Sequence, residues 1–512
     1  MKISCRTSNR VRAVLLILFG LLSTTDSRAA DSPHYRGPAQ NGIFQEVIRT
    51  NWGQTAPKLL WKVNLDPGLS SFSVAQGKLF SQVNRRVGGN DREVCIALSA
   101  ENGRELWDVS LDIADYPHGG VGNDDGPRST PVVDGDRVFV FTSYLRLFCL
   151  NISNGAVVWQ KDFVSEFGSP VAAWQNAASP LIIGDSIFIN ANTPGGCLAA
   201  VRKSDGTILW RKNSNDEMTQ STPVYAVIGG RAQVIFFAQS GLVSLDPDSG
   251  NTLWRYELRS APRLPPSPVV ADDIVYASAA YGVGSAAVRV SSTAQGASRT
   301  QLWRKAGANM NHWATPVPFQ GFLYGPFGQS AVSLRCIDAA TGTERWRQPG
   351  LGYGSTLLVN NLLLVLNDRG DIYLVQPDPD AYREIATFKA VNGKCWNVPT
   401  VANGKIYVRS TTQAAAYDVS PPVVIRAPLK LSGNLSKENN LFQLQITSSD
   451  GSLIEPSRHD KIDIFQNSVE EGIAAGWIKL NQPLLATNGL FHLNDSLNQN
   501  SVIRVYKAEE RP

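Results

Sequence analysis

Aromatic rings, amides and charges concentrate in a few short segments of this 512-residue chain. They are His118 with Asn123-Asp124-Asp125-Gly126-Pro127-Arg128, Trp174-Gln175-Asn176, Glu217 with Gln220, Arg263, Asn309-Met310-Asn311-His312-Trp313, Tyr353, and Lys394-Cys395-Trp396. Such a mixture can seat a planar quinone, a sugar or a peptide, because flat π faces take an apolar surface while a few polar groups fix its orientation. Tryptophan is costly to expose without a use, which favours binding over plain surface polarity.

Other chemistries fit less well. Asp124 and Asp125, with help from Asn123, supply fewer oxygens than the roughly six to eight that Ca²⁺ takes, so an ordinary turn is the better reading and no metal site is assigned. Cys149 and Cys336 stand at the small position of a motif described below, and Cys95 and Cys197 lie within three residues of it; all four read as small buried apolar residues. Cys395 differs in lying within one of the polar segments. Neither a Ser-His-Asp set nor HExxH is legible, so hydrolase and zinc-protease readings have no support. Arg369-Gly370-Asp371 falls where a hairpin needs glycine, and the glycine-rich run from Gly282 to Ala287 opens no helix.

Composition narrows the class. With 43% hydrophobic and 18% charged residues the chain can bury a large core, and its 43 glycines and 29 prolines favour a turn-rich all-β fold. A formal charge of +4 without a Lys/Arg block lacks the footprint of a nucleic-acid binder, so no nucleic-acid partner is expected. Residues 1–29 read as a secretory signal: Lys2, Arg6, Arg10 and Arg12 precede the apolar run Val14 to Leu22, and Ser27-Arg28-Ala29 forms a small-x-small cleavage site. That run is too short to span a bilayer and no later one is long enough, so an exported protein without a transmembrane segment is expected, periplasmic or extracellular. After Cys5 leaves with the signal, five cysteines remain without a CxxC, a CxxCH or an adjacent pair.

Positioning the polar segments requires a repeated scaffold. ALSAENGRELW (Ala97 to Trp107), CLNISNGAVVW (Cys149 to Trp159), AVRKSDGTILW (Ala200 to Trp210), SLDPDSGNTLW (Ser244 to Trp254) and CIDAATGTERW (Cys336 to Trp346) share a small first residue, Gly at the seventh place and Trp at the eleventh. A second unit, Thr/Ser-Pro followed by apolar residues, a turn and an apolar strand, starts at Thr130, Ser179, Thr222, Ser267 and Thr315, with a Val-Pro copy at Val398 and weaker copies at Ser71 and Ser355. Eight copies at a spacing of about 40 to 60 residues predict a propeller of four-stranded antiparallel blades, with the polar segments before each innermost strand gathered around one mouth of the axis. Trp107, Trp159, Trp210, Trp254 and Trp346 are expected to staple blade to blade, the small residue leaving room for an indole. Trp61 lies in an orphan LW strand that should close blade eight, where the last copy ends without one.

These repeats resemble the pyrroloquinoline quinone (PQQ) repeat propellers, the eight-bladed family that includes quinoprotein alcohol dehydrogenases and BamB-like proteins. CIDAATGTERW looks like that family's tryptophan-docking motif, and Tyr35-Arg36-Gly37-Pro38 with Asn41-Gly42 looks like the start of its exported bacterial members. The resemblance covers roughly residues 31 to 420 and implies an all-β eight-bladed propeller that either binds or scaffolds a partner through its axial loops or oxidises an alcohol or aldose with PQQ and Ca²⁺. The family's dehydrogenases usually carry a vicinal disulfide, and some a haem module; this sequence has neither motif, and the binding reading is preferred. PQQ would call on Arg128, Arg263 or Lys394 as cationic partners and on Trp313 or Trp174 as a flat floor, with Asn176, Asn311, His312 and Trp396 completing the ligand-facing candidates. A protein, a carbohydrate or another small molecule at the axis is the expected partner. The organisation expected is a signal over 1–29, an extension over 30–58, the propeller over 59–420 and a small accessory β-domain, sandwich-like in its alternating strands, over 421–512.

Overall fold

The computed structural model describes residues 31–116, 126–212, 216–262, 264–293 and 296–421, and beyond them 429–436, 441–450, 454, 462–470, 473–474, 478–480, 485–487, 490–496 and 504–510. The expected signal lies outside these residues. Two compact units are present, one of Ala29–Pro421 and another that includes Pro422–Pro512.

The larger unit is an eight-bladed propeller. Four-stranded antiparallel sheets over 73–113, 132–162, 181–212, 224–257, 269–305, 317–348 and 354–389 make blades one to seven, each in chain order from the axis outward. Blade eight takes three strands from 400–418 and its outermost from Lys58–Asn64. That strand runs antiparallel to Gln413–Asp418, with Trp61 opposite Ala416, which in turn pairs with Tyr407. Inner strands are covered by a blade on either side and so are apolar on both faces, as in Leu362–Asn367, which is buried throughout. Outermost strands reach the rim and alternate, as in Glu344–Gln348.

The eleven-residue motif works across the seam between blades. Trp61, Trp107, Trp159, Trp210 and Trp303 each donate the indole N–H to a carbonyl of the next blade, that of Ala100, Ile152, Lys203, Pro247 and Ala339, at 2.9–3.1 Å. Each ring lies flat on the next motif's glycine: a Cβ added at Gly103, Gly155, Gly206, Gly250 or Gly342 would come 2.6–2.9 Å from a ring atom of that Trp. The glycine therefore serves twice, taking a positive φ (74° at Gly103) and leaving a seat for the indole. The small residue opposite each Trp, such as Ala97 or Cys149, leaves space in its own sheet. An aromatic from the second strand of the same blade supports each ring, from Phe80–Trp107 at 5.7 Å to Trp61–Tyr407 at 6.2 Å.

Two seams depart from this pattern. Trp346 donates to Asp378 O at 2.7 Å, in the stretch where Pro377-Asp378-Pro379-Asp380 replaces the glycine turn. Blade five has a long hairpin, Gly284–Thr293 with Gly296–Lys305, in place of the glycine turn, with Ala287 still opposite Trp303. Trp254 of blade four thus keeps its ring in the core shared with Val275 and Val288 but donates to Gln233 Oε1 of its own blade at 2.7 Å. The hairpin ties the seam instead, through Tyr256 Oη to Gln301 Oε1 at 2.7 Å and Arg299 Nε to Arg255 O at 2.8 Å.

The extension before Trp61 enters the axis from the side of the turns between first and second strands. Val133 N donates to Pro33 O at 2.8 Å, Ile43–Phe44 pair in parallel with the innermost strand Gly354–Val359, and Gly404 N donates to Glu46. Farthest in, the buried Arg36 guanidinium donates to Thr315 O at 2.9 Å and Pro316 O at 3.2 Å. With Val74 N of blade one donating to Ser32 O at 2.8 Å, five blades are tied together through this segment, which plugs one end of the channel.

In the smaller unit, Leu429–Ser436, Leu441–Ser448, Leu490–Ser496 and Leu485–Thr487 form one antiparallel sheet, and Ile462–Glu470 pairs with Arg504–Glu510 in another. Leu444, Ile446, Ile454, Ile462 and Ile464 form its core, as expected of a small β-domain.

Candidate functional site

The Thr/Ser of each Thr/Ser-Pro unit explains how the axial loops are held. The amide of one such residue donates to the hydroxyl of the next blade's equivalent: Ser71 to Thr130, Thr130 to Ser179, Ser179 to Thr222, Ser267 to Thr315, and Val398 back to Ser71, at 2.9–3.1 Å. Proline directly after most of these residues removes a donor and fixes the entry into the innermost strand. This belt of hydroxyls sets the distance between neighbouring loops around the mouth.

Inside the belt lies a cavity of about 230 Å³. Its lining includes Arg128, Trp174, His312, Trp313 and Trp396, all expected from the sequence, and Tyr35 of the plugging segment. The aromatic side is continuous. Trp313 stacks on Tyr353 at 4.7 Å and 22°, and Trp396 tilts against Trp313 at 4.6 Å. Tyr353 and Trp396 are only 6.2 Å apart, too close to lie on opposite faces of Trp313, so these two rings do not sandwich the indole. Tyr281 Oη lies 2.8 Å from His312 Nε2, and burial holds the imidazole below its ordinary pKa.

The opposite side is polar and pinned. Arg128 Nη1 donates to Trp174 O at 2.9 Å, and Gln220 Nε2 donates to the carbonyls of Trp174 and Gln175 at 2.7 Å. These bonds stabilise a turn in which Trp174 and Gln175 have φ of 70° and 50°, a left-handed conformation that non-glycine residues adopt at a cost. Lys394 Nζ lies 4.9 Å from the centroid of the Trp396 ring as a cation–π contact.

Two expected ligand-facing residues turn inward instead. Asn176 bonds Thr142 O, Ala178 O and Ala178 N, and Asn311 accepts from Tyr276 and Ser278 hydroxyls while donating to Pro326 O. Both amides are spent on loop backbone, the usual fate of Asn in turns. Asp124, Asp125 and Arg263 lie outside the described residues. Cys395 is buried, and burial pushes its thiol up to about 12, which favours the protonated thiol.

Sequence reasoning missed Ser355, Asn397, Tyr281 and Tyr35. Ser355 and Asn397 are each 4% exposed and line the cavity, yet Ser355 Oγ and both Asn397 Oδ1 and Nδ2 have no hydrogen-bond partner; His312 Nδ1 is a further buried atom without one. Ser355 opens a weak repeat copy, and Asn397 directly precedes Val398, where the belt residue is apolar; that irregularity was the available signal.

PQQ with Ca²⁺ matches this lining only in part. The aromatic side offers a flat seat, but among the described residues no carboxylate lines the cavity, whereas Ca²⁺ takes about six to eight oxygens. All five cysteines among the described residues are free and buried, and none lines the cavity. The described lining therefore does not fit the quinone with its metal.

A family model described as outer membrane protein assembly factor BamB matches residues 90–324. BamB of Shewanella oneidensis is 26% identical over 261 residues, 48% of this chain and 63% of the relative, so the match spans less than two thirds of that protein. BamB of Yersinia pestis is 21% identical over 378 residues, 70% of this chain and 87% of the relative. Among solved structures, quinohemoprotein alcohol dehydrogenase from Comamonas testosteroni superposes with a TM-score of 0.56 at 12% identity, covering 80% of this chain and 84% of that one. At that identity the likeness is one of fold.

Proposed function

We propose that this PQQ-repeat eight-bladed propeller, similar to BamB and to the propellers of quinoprotein dehydrogenases, is an exported, non-catalytic binding module whose open axial mouth is the working surface. One observation carries the reading. The channel is plugged by the chain's own extension at one end, while the other opens onto an aromatic wall beside buried polar atoms that lack partners. A rigid ring with one finished and one unfinished mouth presents a single concave surface for a partner.

Several facts support the remaining parts. The positive segment, the apolar run and the small-residue cleavage site support export, and no helix among the described residues is long and apolar enough to cross a membrane. The relatives named as outer membrane protein assembly factors support a scaffolding role in the envelope over a redox one. So does the lining, which lacks the calcium donors a quinone enzyme would need among its described residues.

Mixing the purified mature chain with PQQ and Ca²⁺ separates the two readings. Absence of dye reduction with alcohols or aldoses, and of stoichiometric quinone binding, is the outcome expected. Turnover that disappears together with quinone binding in Trp313→Ala would replace this reading with a dehydrogenase.

A further inference from the structure

The hydroxyl belt breaks at blades seven and eight, where Ser355 and Asn397 line the cavity. At blade seven the belt residue is Ser355, whose hydroxyl is buried without a partner; at blade eight it is Val398, which has no hydroxyl, and Asn397 beside it leaves both its carbonyl and its amino group unpaired. Buried polar groups are nearly always hydrogen-bonded, so three such side chains around one cavity, counting His312 Nδ1, mark a surface shaped for something else.

The inventory of those atoms restricts the ligand. Asn397 offers a donor and an acceptor, Ser355 either, and His312 Nδ1 is a donor if Tyr281 donates to Nε2. The cations close by already have contacts, Arg128 with the Trp174 carbonyl and Lys394 with the Trp396 ring, and no carboxylate lines the cavity among the described residues. A neutral ligand with intermixed donors and acceptors matches better than an anion or a cation. The adjoining Trp313 and Trp396 rings call for an apolar flank on the same ligand. A volume of about 230 Å³ is below the roughly 300–1,000 Å³ of sites for drug-sized molecules, so a single ring fits the space better than fused rings.

We propose that the axial cavity binds one neutral sugar ring, its C–H face against the Trp313–Trp396 wall and its hydroxyls on Asn397, Ser355 and His312 Nδ1. This rests on the reading that the open mouth is the working surface and names the chemistry found there. A pyranose has an apolar face and a rim of groups that both donate and accept, the combination these residues leave unmet.

The test is a titration of the full mature chain with neutral hexoses and N-acetylhexosamines, with a uronic acid as the charged control, followed by tryptophan emission and calorimetry. Saturable binding of a neutral sugar is expected, weakened about tenfold in both Asn397→Ala and Ser355→Ala, the loss that removing one hydrogen bond produces. Trp396→Ala should remove most of the emission change. Unaltered circular dichroism and melting of the variants keep a folding defect from imitating lost binding. No saturable response to any neutral sugar up to about 100 mM, an affinity weaker than ordinary millimolar recognition, would overturn the proposal. So would binding of the uronic acid alone, undiminished binding in Asn397→Ala, or an ordered water completing the bonds of Asn397 and Ser355 in crystals soaked with sugar. If sugars fail while a partner still cross-links to the axial loops, only the sugar assignment falls; if cross-links map elsewhere on the ring, the axial reading itself falls.

Discussion

Trp61 lies across an antiparallel ladder from Ala416 and flat on Gly103, so one indole joins the first long strand, the last repeat and the first blade. Trp61 is 7% exposed and donates to Ala100 O at 3.1 Å. Trp61→Ala should therefore cost about 3–5 kcal/mol, the range for emptying a buried aromatic site. Thermal unfolding checks this, and an unchanged midpoint would mean that ring closure does not depend on the indole.

Glycine at the seventh motif position should be more demanding than glycine in an ordinary blade turn. Gly77, at φ 71°, has no atom within 4 Å of an added Cβ, whereas at Gly103 the Cβ would meet Trp61 at 2.7 Å. Gly77→Ala should cost about 1–2 kcal/mol from the backbone alone, and Gly103→Ala a further ~1–3 kcal/mol from overpacking. Denaturant melts of the two variants side by side measure the difference.

The hydroxyl belt predicts its own defect. Thr130→Val keeps the side-chain shape but leaves the buried Ser71 amide without its acceptor, a loss of about 1–3 kcal/mol. Hydrogen exchange at the Ser71 amide should accelerate in that variant. Slow exchange there would show that another acceptor takes over.

Glu93 makes stability depend on pH. Its carboxyl is buried, accepts from Tyr116 Oη at 2.8 Å and Ser143 N at 3.0 Å, and is pushed from 4.5 to about 7, mainly by loss of solvation. A carboxyl whose folded pKa lies above its unfolded value favours the protonated form. Its stabilising contribution is complete below about pH 4.5 and is lost as pH rises through about 7. Glu93→Gln should flatten the fall in stability across that window, as pH-resolved urea melts would show; an identical slope in both proteins would place the titration elsewhere.

The blade count and the pairing of Trp61 with the last repeat were legible because the Gly-Trp spacing and the Thr/Ser-Pro unit recur, and most recurrences carry a contact across a seam. Trp303 was not, since blade five replaces the glycine turn with a long hairpin that breaks the spacing between Ala287 and Trp303. At the site, Trp174, His312, Trp313 and Trp396 were found as large rings in loops, where burial must come from a neighbour or a ligand. Asn176 and Asn311 misled because an amide satisfying loop carbonyls has the same sequence signature as one facing a ligand. Tyr35 and Arg36 enter the channel through contacts with residues far along the chain, such as Thr315, which no local pattern encodes.

The central claim is that the unplugged mouth, and not the rim or the opposite face, meets the partner. Photo-cross-linkers at Ala177, in the axial cavity, and at Asp136, in a turn between the first two strands of blade two, test it in living cells. A discrete adduct from position 177 that disappears in Trp396→Ala, with none from 136, is the result predicted. Adducts from 136 alone, or adducts from 177 that persist without the Trp396 indole, would contradict it.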